Sequence, residues 1–474
     1  MTKSLLFALP EILAQARQDA DRAVELAAER TVELAAERTV ERTTNSVAEG
    51  DEAEPPRSAH TSIVPGTIFW GDNLTALAQL IAAGQAGTVD CIYIDPPFNS
   101  GANYQATVTV RAAGKTVRIA RPAYSDTWSD GSAGFMAMLA PRLILMHKLL
   151  APTGTLLLHT DWHVGHYVRV LLDEVFGRNN FINEIIWRYG KMSLTTHRFP
   201  QNHDTIFAYG RSANAYFQPQ AGADSEYRNR YAGWLRDERL YWADAKDSQD
   251  KLIARRARKL ERELGRPLID EDVLFDFRQE FKLQDDVFYD ISIIKGNAAE
   301  KLGYDTQKPE RLLERLLEAT CPPGGLVADF FGGSGTTAAV AQRTGRRWIT
   351  GDSGHSAVAL MRQRLGVDAT QVVELDTPAT LPTGVLHARA SVDADGNVQV
   401  ELQSYVLDPA ALGLDATNAR RLEKVLATDP LALISSYSVQ PVAATQPGSR
   451  QVRVSAVDVF GVRSNTLVDV PAKD

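Results

Sequence analysis

Short apolar runs and amphipathic stretches take turns along the middle of this chain. That rhythm predicts buried strands separated by helices. Strands are expected at Thr67–Trp70, Val89–Ile94, Thr155–His159, Leu326–Phe330 and Arg347–Gly351. Helices are expected at Leu74–Ala83, Phe135–Leu150, His166–Phe176, Pro309–Glu318, Thr336–Arg343 and His355–Leu365. The expected fold class is α/β, a doubly wound and mostly parallel sheet. Between Ile185 and Phe288 the period is lost, and aromatic and basic residues crowd together.

The flanks follow other patterns. Residues 1–45 read as a helix rich in Ala, Glu, Leu and Arg, in which the octapeptide Val24–Thr31 recurs unchanged as Val32–Thr39. Eight residues overrun two helical turns by roughly 80°. The apolar stripe therefore drifts round the surface and makes no coiled-coil seam. A solvated helical arm is expected, with a role in oligomerisation as the alternative. Residues 46–62, polar and carrying Pro55-Pro56, read as a linker. The Val and Thr alternation of 103–121, with Arg111, Lys115, Arg118 and Arg121, predicts a basic hairpin or loop. Beyond 372, the runs Leu386–Val392, Val398–Val406 and Val452–Phe460 and the turn signal Asp395-Gly396 predict a separate small β-rich domain. The expected division is an arm (1–45), a linker (46–62), one half of the α/β domain (63–189), an insert (190–300), the second half (301–371) and the β-rich domain (372–474).

Composition narrows the class without choosing within it. The 474 residues are 44% hydrophobic and 23% charged, as in an ordinary globular chain. A net charge of −8 does not advertise a nucleic-acid binder, but a local basic face is enough for one. Two cysteines, Cys91 and Cys321, form no Cys-x-x-Cys pair, so neither a disulfide framework nor a thiolate metal site is expected. A reducing cytoplasm fits. The apolar N-terminus is cut short by Pro10 and Glu11, and no stretch has the length of a membrane span. His159, His163 and His166 invite a metal, but His159 reads as buried on a strand, so none is expected.

The chemistry gathers at strand ends. Val89–Ile94 runs into Asp95-Pro96-Pro97-Phe98. Two prolines stop the strand and stiffen the backbone. They hold a carboxylate, two carbonyls and an aromatic face at the carboxyl end of a strand, where open α/β sheets bind ligands. Downstream, Asp329-Phe330-Phe331-Gly332-Gly333-Ser334-Gly335-Thr336-Thr337 leads from a strand into a helix. Glycines allow the sharp turn and close backbone approach to a ligand. Asp352, at the end of the next strand, is placed to hold ribose hydroxyls, or else to cap the following helix. This is a nucleoside-binding pattern. The glycine loop alone also fits NAD, but a dehydrogenase has no use for Asp-Pro-Pro-Phe beside its cofactor. A methyltransferase acting on an aromatic amine does.

These two motifs, in this order, resemble the β class of DNA amino-methyltransferases. Gly71-Asp72-Asn73-Leu74 and Thr306-Gln307-Lys308-Pro309-Glu310 are similar to segments of the same class. Thr160-Asp161-Trp162-His163 and Asn183–Tyr189 are similar to adenine-specific members, including modification subunits of type III systems. The resemblance covers roughly residues 63–370 in blocks. One departure is Phe330, where the family usually has proline.

The resemblance implies a Rossmann-like methyltransferase with permuted motifs, S-adenosylmethionine as cofactor and double-stranded DNA with a flipped target base as partner. Asp95, Pro96, Pro97 and Phe98 would be catalytic. Asp329, Phe331, Gly332, Gly333, Ser334, Gly335 and Thr336 would line the methionine end of the cofactor. Asp352 would take the ribose. Asp72 would lie near the cofactor adenine, and Gln307 and Lys308 near its carboxylate. Asp72 serves equally well as an N-cap. No cysteine nucleophile follows the catalytic motif, so carbon-5 cytosine methylation is excluded. Asp and Phe around the prolines favour adenine. The cytosine amine, a modification subunit partnered by a restriction subunit, a homodimer and a non-catalytic DNA-binding module stay open. The insert, with Arg228, Arg230, Arg236, Arg239 and Lys251–Leu260 among Tyr227, Tyr231, Trp234, Tyr241 and Trp242, reads as the target-recognition region.

Overall fold

A computed structural model describes residues 5–46, 65–112, 114–128, 130–190, 195–220, 230–277, 284–366, 369–375, 384–393, 397–408, 412–442, 450–460 and 463–471. The expected linker 46–62 (after Ser46), the turn Asp395-Gly396, Tyr227 and Arg228 lie outside these residues. The chain divides into two compact units, residues 1–216 with 289–474, and residues 217–288.

The larger unit begins with helix α1 (Leu5–Ser46). Strand β1 (Thr67–Trp70), helix α2 (Asn73–Ala82) and strand β2 (Val89–Ile94) follow. Next come the hairpin β3 (Asn103–Ala112) and β4 (Lys115–Ser125), then α3 (Gly131–Leu149), β5 (Leu150–Thr160) and α4 (Gly165–Leu172). Strands β6 (Phe181–Arg188) and β7 (His203–Gly210) complete this half. After the smaller unit come α5 (Glu310–Thr320), β8 (Leu326–Asp329), α6 (Thr336–Arg343), β9 (Arg347–Asp352), α7 (His355–Leu365) and β10 (Gln371–Glu374).

Within this unit the central sheet has the order β6-β7-β5-β2-β8-β9-β1-β10. Its pairs are parallel except those made by β7, which runs antiparallel to both neighbours. The register sets Ile92 against Ala328, Asp329 against Thr350 and Trp70 against Asp352. The carboxyl ends of four adjacent strands are thereby level, and the four motif loops leave from one edge. Buried Ile, Leu, Val and Phe side chains of the strands and of α2 and α3 form the core beneath them.

Three expectations need correction. The arm is not solvated along its length. Leu13, Ala16, Ala20 and Ala27 of α1 are buried in the same core as α2 and α3. The small side chains, spaced three, four and seven apart, allow close helix approach. Asp21 adds a 2.8 Å ion pair to Lys148. The side chains of the second octapeptide copy lie outside the described residues.

The stretch after Ile185 is not irregular at its start. β6 and β7 extend the sheet, and β7 is buried on both faces, so its sequence shows no alternation. The compact insert is consequently 217–288, shorter than the expected 190–300. It holds an antiparallel pair, Arg239–Tyr241 with Val273–Asp276, and a helix, Lys251–Leu264, around Tyr231, Leu240, Ile253 and Leu274.

The β-rich C-terminal part does not stand alone: its core is completed by the β3–β4 hairpin. Strands β11 (Val385–Val392) and β12 (Val398–Val406), helix α8 (Ala416–Thr428) and strands β13 (Ile434–Val442), β14 (Gln451–Asp458) and β15 (Arg463–Asp469) belong to the larger unit. Their core (Leu386, Tyr405, Leu422, Val454, Phe460) is shared with Val110, Ala112 and Ile119 of the β3–β4 hairpin. Arg121 of that hairpin is buried, donating to the Phe460 carbonyl at 3.2 Å. Among the described residues no helix is long and apolar enough to cross a membrane.

Candidate active site

The four loops enclose a cavity of about 460 Å³. Asp72, Asp95, Pro97, Lys308, Asp329, Phe331, Gly332, Gly333, Ser334, Thr336 and Asp352 all line it. Of the residues expected at the site, Pro96, Phe98, Gln307 and Gly335 are not in that lining.

Asp95 stands where β2 ends. Its Oδ2 accepts from Lys308 Nζ at 2.5 Å. Its Oδ1 is buried and has no hydrogen-bond partner among the described residues. A buried carboxylate oxygen left without a donor costs free energy on the order of 1–3 kcal/mol or more. Such a group in a cavity wall is suited to receive an N–H from a ligand. The Lys308 ammonium also lies 5.4 Å from the Phe98 ring centroid. The sequence places Lys308 with the cofactor carboxylate; the structure places its ammonium on Asp95.

The loop after the tetrapeptide is folded round a residue that sequence reasoning missed. Asp126, buried, accepts from the backbone N–H of Phe98 (3.0 Å), Asn99 (2.8 Å) and Ser100 (2.8 Å) and from Ser100 Oγ (2.7 Å). Three convergent N–H groups form a nest for one carboxylate. Asn99 takes φ +56°, a left-handed conformation that asparagine tolerates. The pairing spans a hairpin, so no local spacing announces it.

The glycine loop is satisfied from within. Asp329 Oδ1 accepts from Phe331 N at 3.0 Å, and Oδ2 from Thr337 Oγ1 at 2.5 Å. Burial pushes the Asp329 carboxyl up to about 7, against those two bonds and with the charges of Asp95 and Asp352 adding to the rise. Asp352 Oδ2 accepts from Gly333 N (2.9 Å) and Oδ1 from Gly354 N (2.7 Å); burial raises its carboxyl as well. A side chain at position 332 would fall on Thr350 Oγ1 and within 2.8 Å of Met361 Sδ. Gly335 has φ +73°, and a Cβ there would lie 2.8 Å from Met361 Cγ. Ser334 and Thr336 bond each other at 3.0 Å, and Arg364, also missed in the sequence, donates to the Ser334 carbonyl (3.0 Å) and Thr336 Oγ1 (2.9 Å). Phe330 is buried in the core, which supplies by packing the stiffness that proline would give.

Asp72 both lines the cavity and caps α2, accepting from Leu74 N (2.9 Å) and from Arg142 Nη2 (2.6 Å). Gln307 spends both ends of its amide on the preceding loop, accepting from Leu302 N (2.8 Å) and donating to the Glu300 carbonyl (2.6 Å).

In the smaller unit several expected basic residues are tied internally. Arg230 pairs with Asp250 (2.9 Å), Arg236 with Asp244 (2.8 Å) and Arg239 with Asp276 (2.9 Å). Tyr231 is buried, and Trp234 is 45% exposed. Arg255, Arg258 and Lys259 lie on the exposed side of the Lys251–Leu264 helix.

Residues 89–363 match the model of the DNA methylase family. The chain belongs to that family. The match spans both strand-end motifs and the smaller unit between them. This methylase is 25% identical over 343 residues to the type II methyltransferase M.EcaI of Enterobacter cloacae, covering 64% of the chain and 70% of the relative. It is also 25% identical over 319 residues to the StyLTI Mod subunit, a type III restriction-modification enzyme of Salmonella typhimurium, covering 56% of the chain and 48% of the relative. The methylase thus spans about half the length of that second relative. Among solved structures it resembles the M1.HpyAVI–SAM complex with 15% identity and a TM-score of 0.37, covering 63% of the methylase and 99% of that chain.

Proposed function

We propose that this DNA methylase transfers a methyl group from S-adenosylmethionine to the exocyclic amine of adenine in double-stranded DNA, with the target base flipped out of the helix. The observation that carries this reading is that Asp95, which lines the cavity, keeps a buried Oδ1 with no hydrogen-bond partner among the described residues.

The amine is a poor nucleophile because its lone pair is delocalised into the ring. Asp95 Oδ1 and the Pro96 carbonyl accept its two N–H groups and localise the lone pair on nitrogen. Phe98 stacks on the base and fixes its plane. Lys308 holds the second carboxylate oxygen and so fixes the direction of the first. These are contributions of position and electrostatics.

The donor side fits the cofactor. A loop in which a Cβ has no room at 332 and 335 lets backbone reach a ligand closely. Asp352, on the strand next to that loop, would hold the ribose hydroxyls, and Asp329 would meet the ammonium. Gly333, Ser334, Phe331 and Thr336 complete the wall, and Asp72, also in the lining, would serve the adenine. When bound, the cofactor supplies an electrophilic methyl on a sulfonium. Gln307 acts from outside by holding the loop that carries Lys308.

The smaller unit, 217–288, reads the target sequence, with Arg255, Arg258 and Lys259 meeting phosphates or guanine edges. The Mod subunits among its relatives support a restriction subunit as partner. Incubating the protein with unmethylated plasmid DNA and the cofactor, then resolving the nucleosides by mass spectrometry, tests the reading. N6-methyladenine is expected. N4-methylcytosine would move the target to cytosine, and no methylated base at all would refute the activity.

A further inference from the structure

Behind Phe98 lies a polar chain, buried at His159 and Tyr93 and half-buried at Asp204 and Tyr189, that the reaction as described does not use. His159, on β5, is fully buried. Its Nδ1 meets Tyr93 Oη at 2.9 Å, and its Nε2 meets Asp204 Oδ2 at 3.1 Å. Asp204 Oδ1 in turn accepts from Tyr189 Oη at 2.9 Å. Tyr93 and Trp187 stand edge-on to the imidazole, with centroids at 6.2 Å and 5.8 Å. The Phe98 ring lies stacked on it, 6.1 Å between centroids and 20° between planes.

Filling this space needs no polar atom. A leucine or phenylalanine behind Phe98 would bury as much apolar area without desolvating an imidazole and a carboxylate, which is costly unless every partner is in place. What the polar chain adds is orientation. An imidazole held at both nitrogens and walled on two edges cannot rotate, and networks of this kind rigidify the site they serve. Phe98 comes from a loop, whereas His159 comes from a strand in the middle of the sheet.

We infer that His159, braced by Tyr93 and Asp204, is a positioning residue for methyl transfer: it is the fixed plate that sets the plane of Phe98 and, through it, the plane of the target base. This rests on the proposed reading of Phe98 as the stacking ring. The chain runs Tyr189, Asp204, His159, Phe98, so perturbation should weaken with distance from Phe98.

The test compares wild type with His159→Gln, which keeps a hydrogen-bonding end but loses the ring, and with Asp204→Asn, which keeps the ring and loosens its brace. Single-turnover methyl transfer to unmethylated plasmid DNA and cofactor affinity by calorimetry are measured for each. The single-turnover rate should fall roughly 100-fold in His159→Gln and roughly tenfold in Asp204→Asn, as expected for misplacing a reacting group by a fraction of its size. Cofactor affinity should stay within about twofold, because the donor loop is satisfied by its own bonds. A merely structural role would lower rate and affinity together, and that result overturns the inference. So does wild-type turnover in both variants. If His159→Gln does not fold, Asp204→Asn decides alone by the same two measurements. Wild-type protein that transfers nothing removes the parent reading, and this inference with it, whereas active wild type with unaffected variants removes only this one.

Discussion

Two loops leave adjacent parallel strands at the same level, and they are built on opposite plans. After β8, the glycine loop meets its polar needs internally: Asp329 holds Phe331 and Thr337, Asp352 holds Gly333 and Gly354, and Arg364 ties Ser334 to Thr336. After β2, the proline loop is pinned from behind by Asp126 but leaves one oxygen of Asp95 without a donor. The first plan suits a ligand bound by shape and by backbone. The second suits a ligand that completes a hydrogen bond on arrival. A methylase needs both, since its donor must be held and its acceptor must be activated. The free energy left uncollected at Asp95 is available only to the group that fills the gap.

The comparison breaks most sharply at Asp95. Asp95→Ala removes the waiting acceptor and should lower single-turnover methyl transfer on the order of 1,000-fold. Cofactor affinity by calorimetry should be unchanged. Full transfer by this variant would mean that the unpartnered oxygen has no part in the reaction. Gly335→Ala should do the converse. It forces a Cβ to within 2.8 Å of Met361 at φ +73°. Strain on the order of 1–3 kcal/mol should weaken cofactor binding roughly ten- to a hundredfold, while transfer at saturating cofactor falls less. Tight cofactor binding in Gly335→Ala would show that the loop is not shaped for close approach. Lys308→Met touches the hinge between the two plans. Losing the ion pair frees the Asp95 carboxylate to turn, and the transfer rate should fall roughly tenfold. If the lysine instead serves the donor, the loss will appear as weaker cofactor binding.

How far the two plans could be read from sequence differs in the same way. The glycine loop was legible because its residues are contiguous and each is required by local backbone shape. Asp95-Pro96-Pro97-Phe98 was legible for the same reason. Asp126, Arg364 and the Asp204 brace were not, because each reaches its partner across a gap of tens of residues that no periodicity spans. The parallel strands β1, β2, β5, β8 and β9 were found from their apolar runs, whereas the short edge strand β10 was not. β7 was missed because it is buried on both faces, and the docking of α1 because alanine is as common on a solvated helix as on a packed one. The C-terminal strands were visible, yet their shared core with the β3–β4 hairpin is a tertiary fact, carried by Val110, Ala112 and Ile119. Lys308 shows the limit most plainly, since the resemblance of its segment assigns it to the donor side and its partner in space is Asp95.

The smallest effect is a pH dependence that separates the two carboxylates on adjacent strands. Burial raises Asp329 in the folded protein to about 7, well above its value of 3.8 in a solvated chain. The folded state therefore binds a proton more tightly than the unfolded state does. Its contribution to stability is full below the unfolded value and is lost as pH rises through about 7. A cofactor that presents an ammonium to Asp329 favours the ionised form, so its binding should release a proton near neutrality. Affinity measured by calorimetry should strengthen by up to about tenfold as pH is raised from about 6 to 8, in step with the ionised fraction of the carboxyl. Asp329→Asn should bind more weakly and lose this slope, and should unfold at a higher temperature than wild type at alkaline pH, where the buried charge is otherwise present. Asp95→Ala should keep most of the slope, because Asp95 only adds its charge to a rise set mainly by burial. A slope that vanishes in Asp95→Ala and survives in Asp329→Asn would reverse the assignment of donor and acceptor sides.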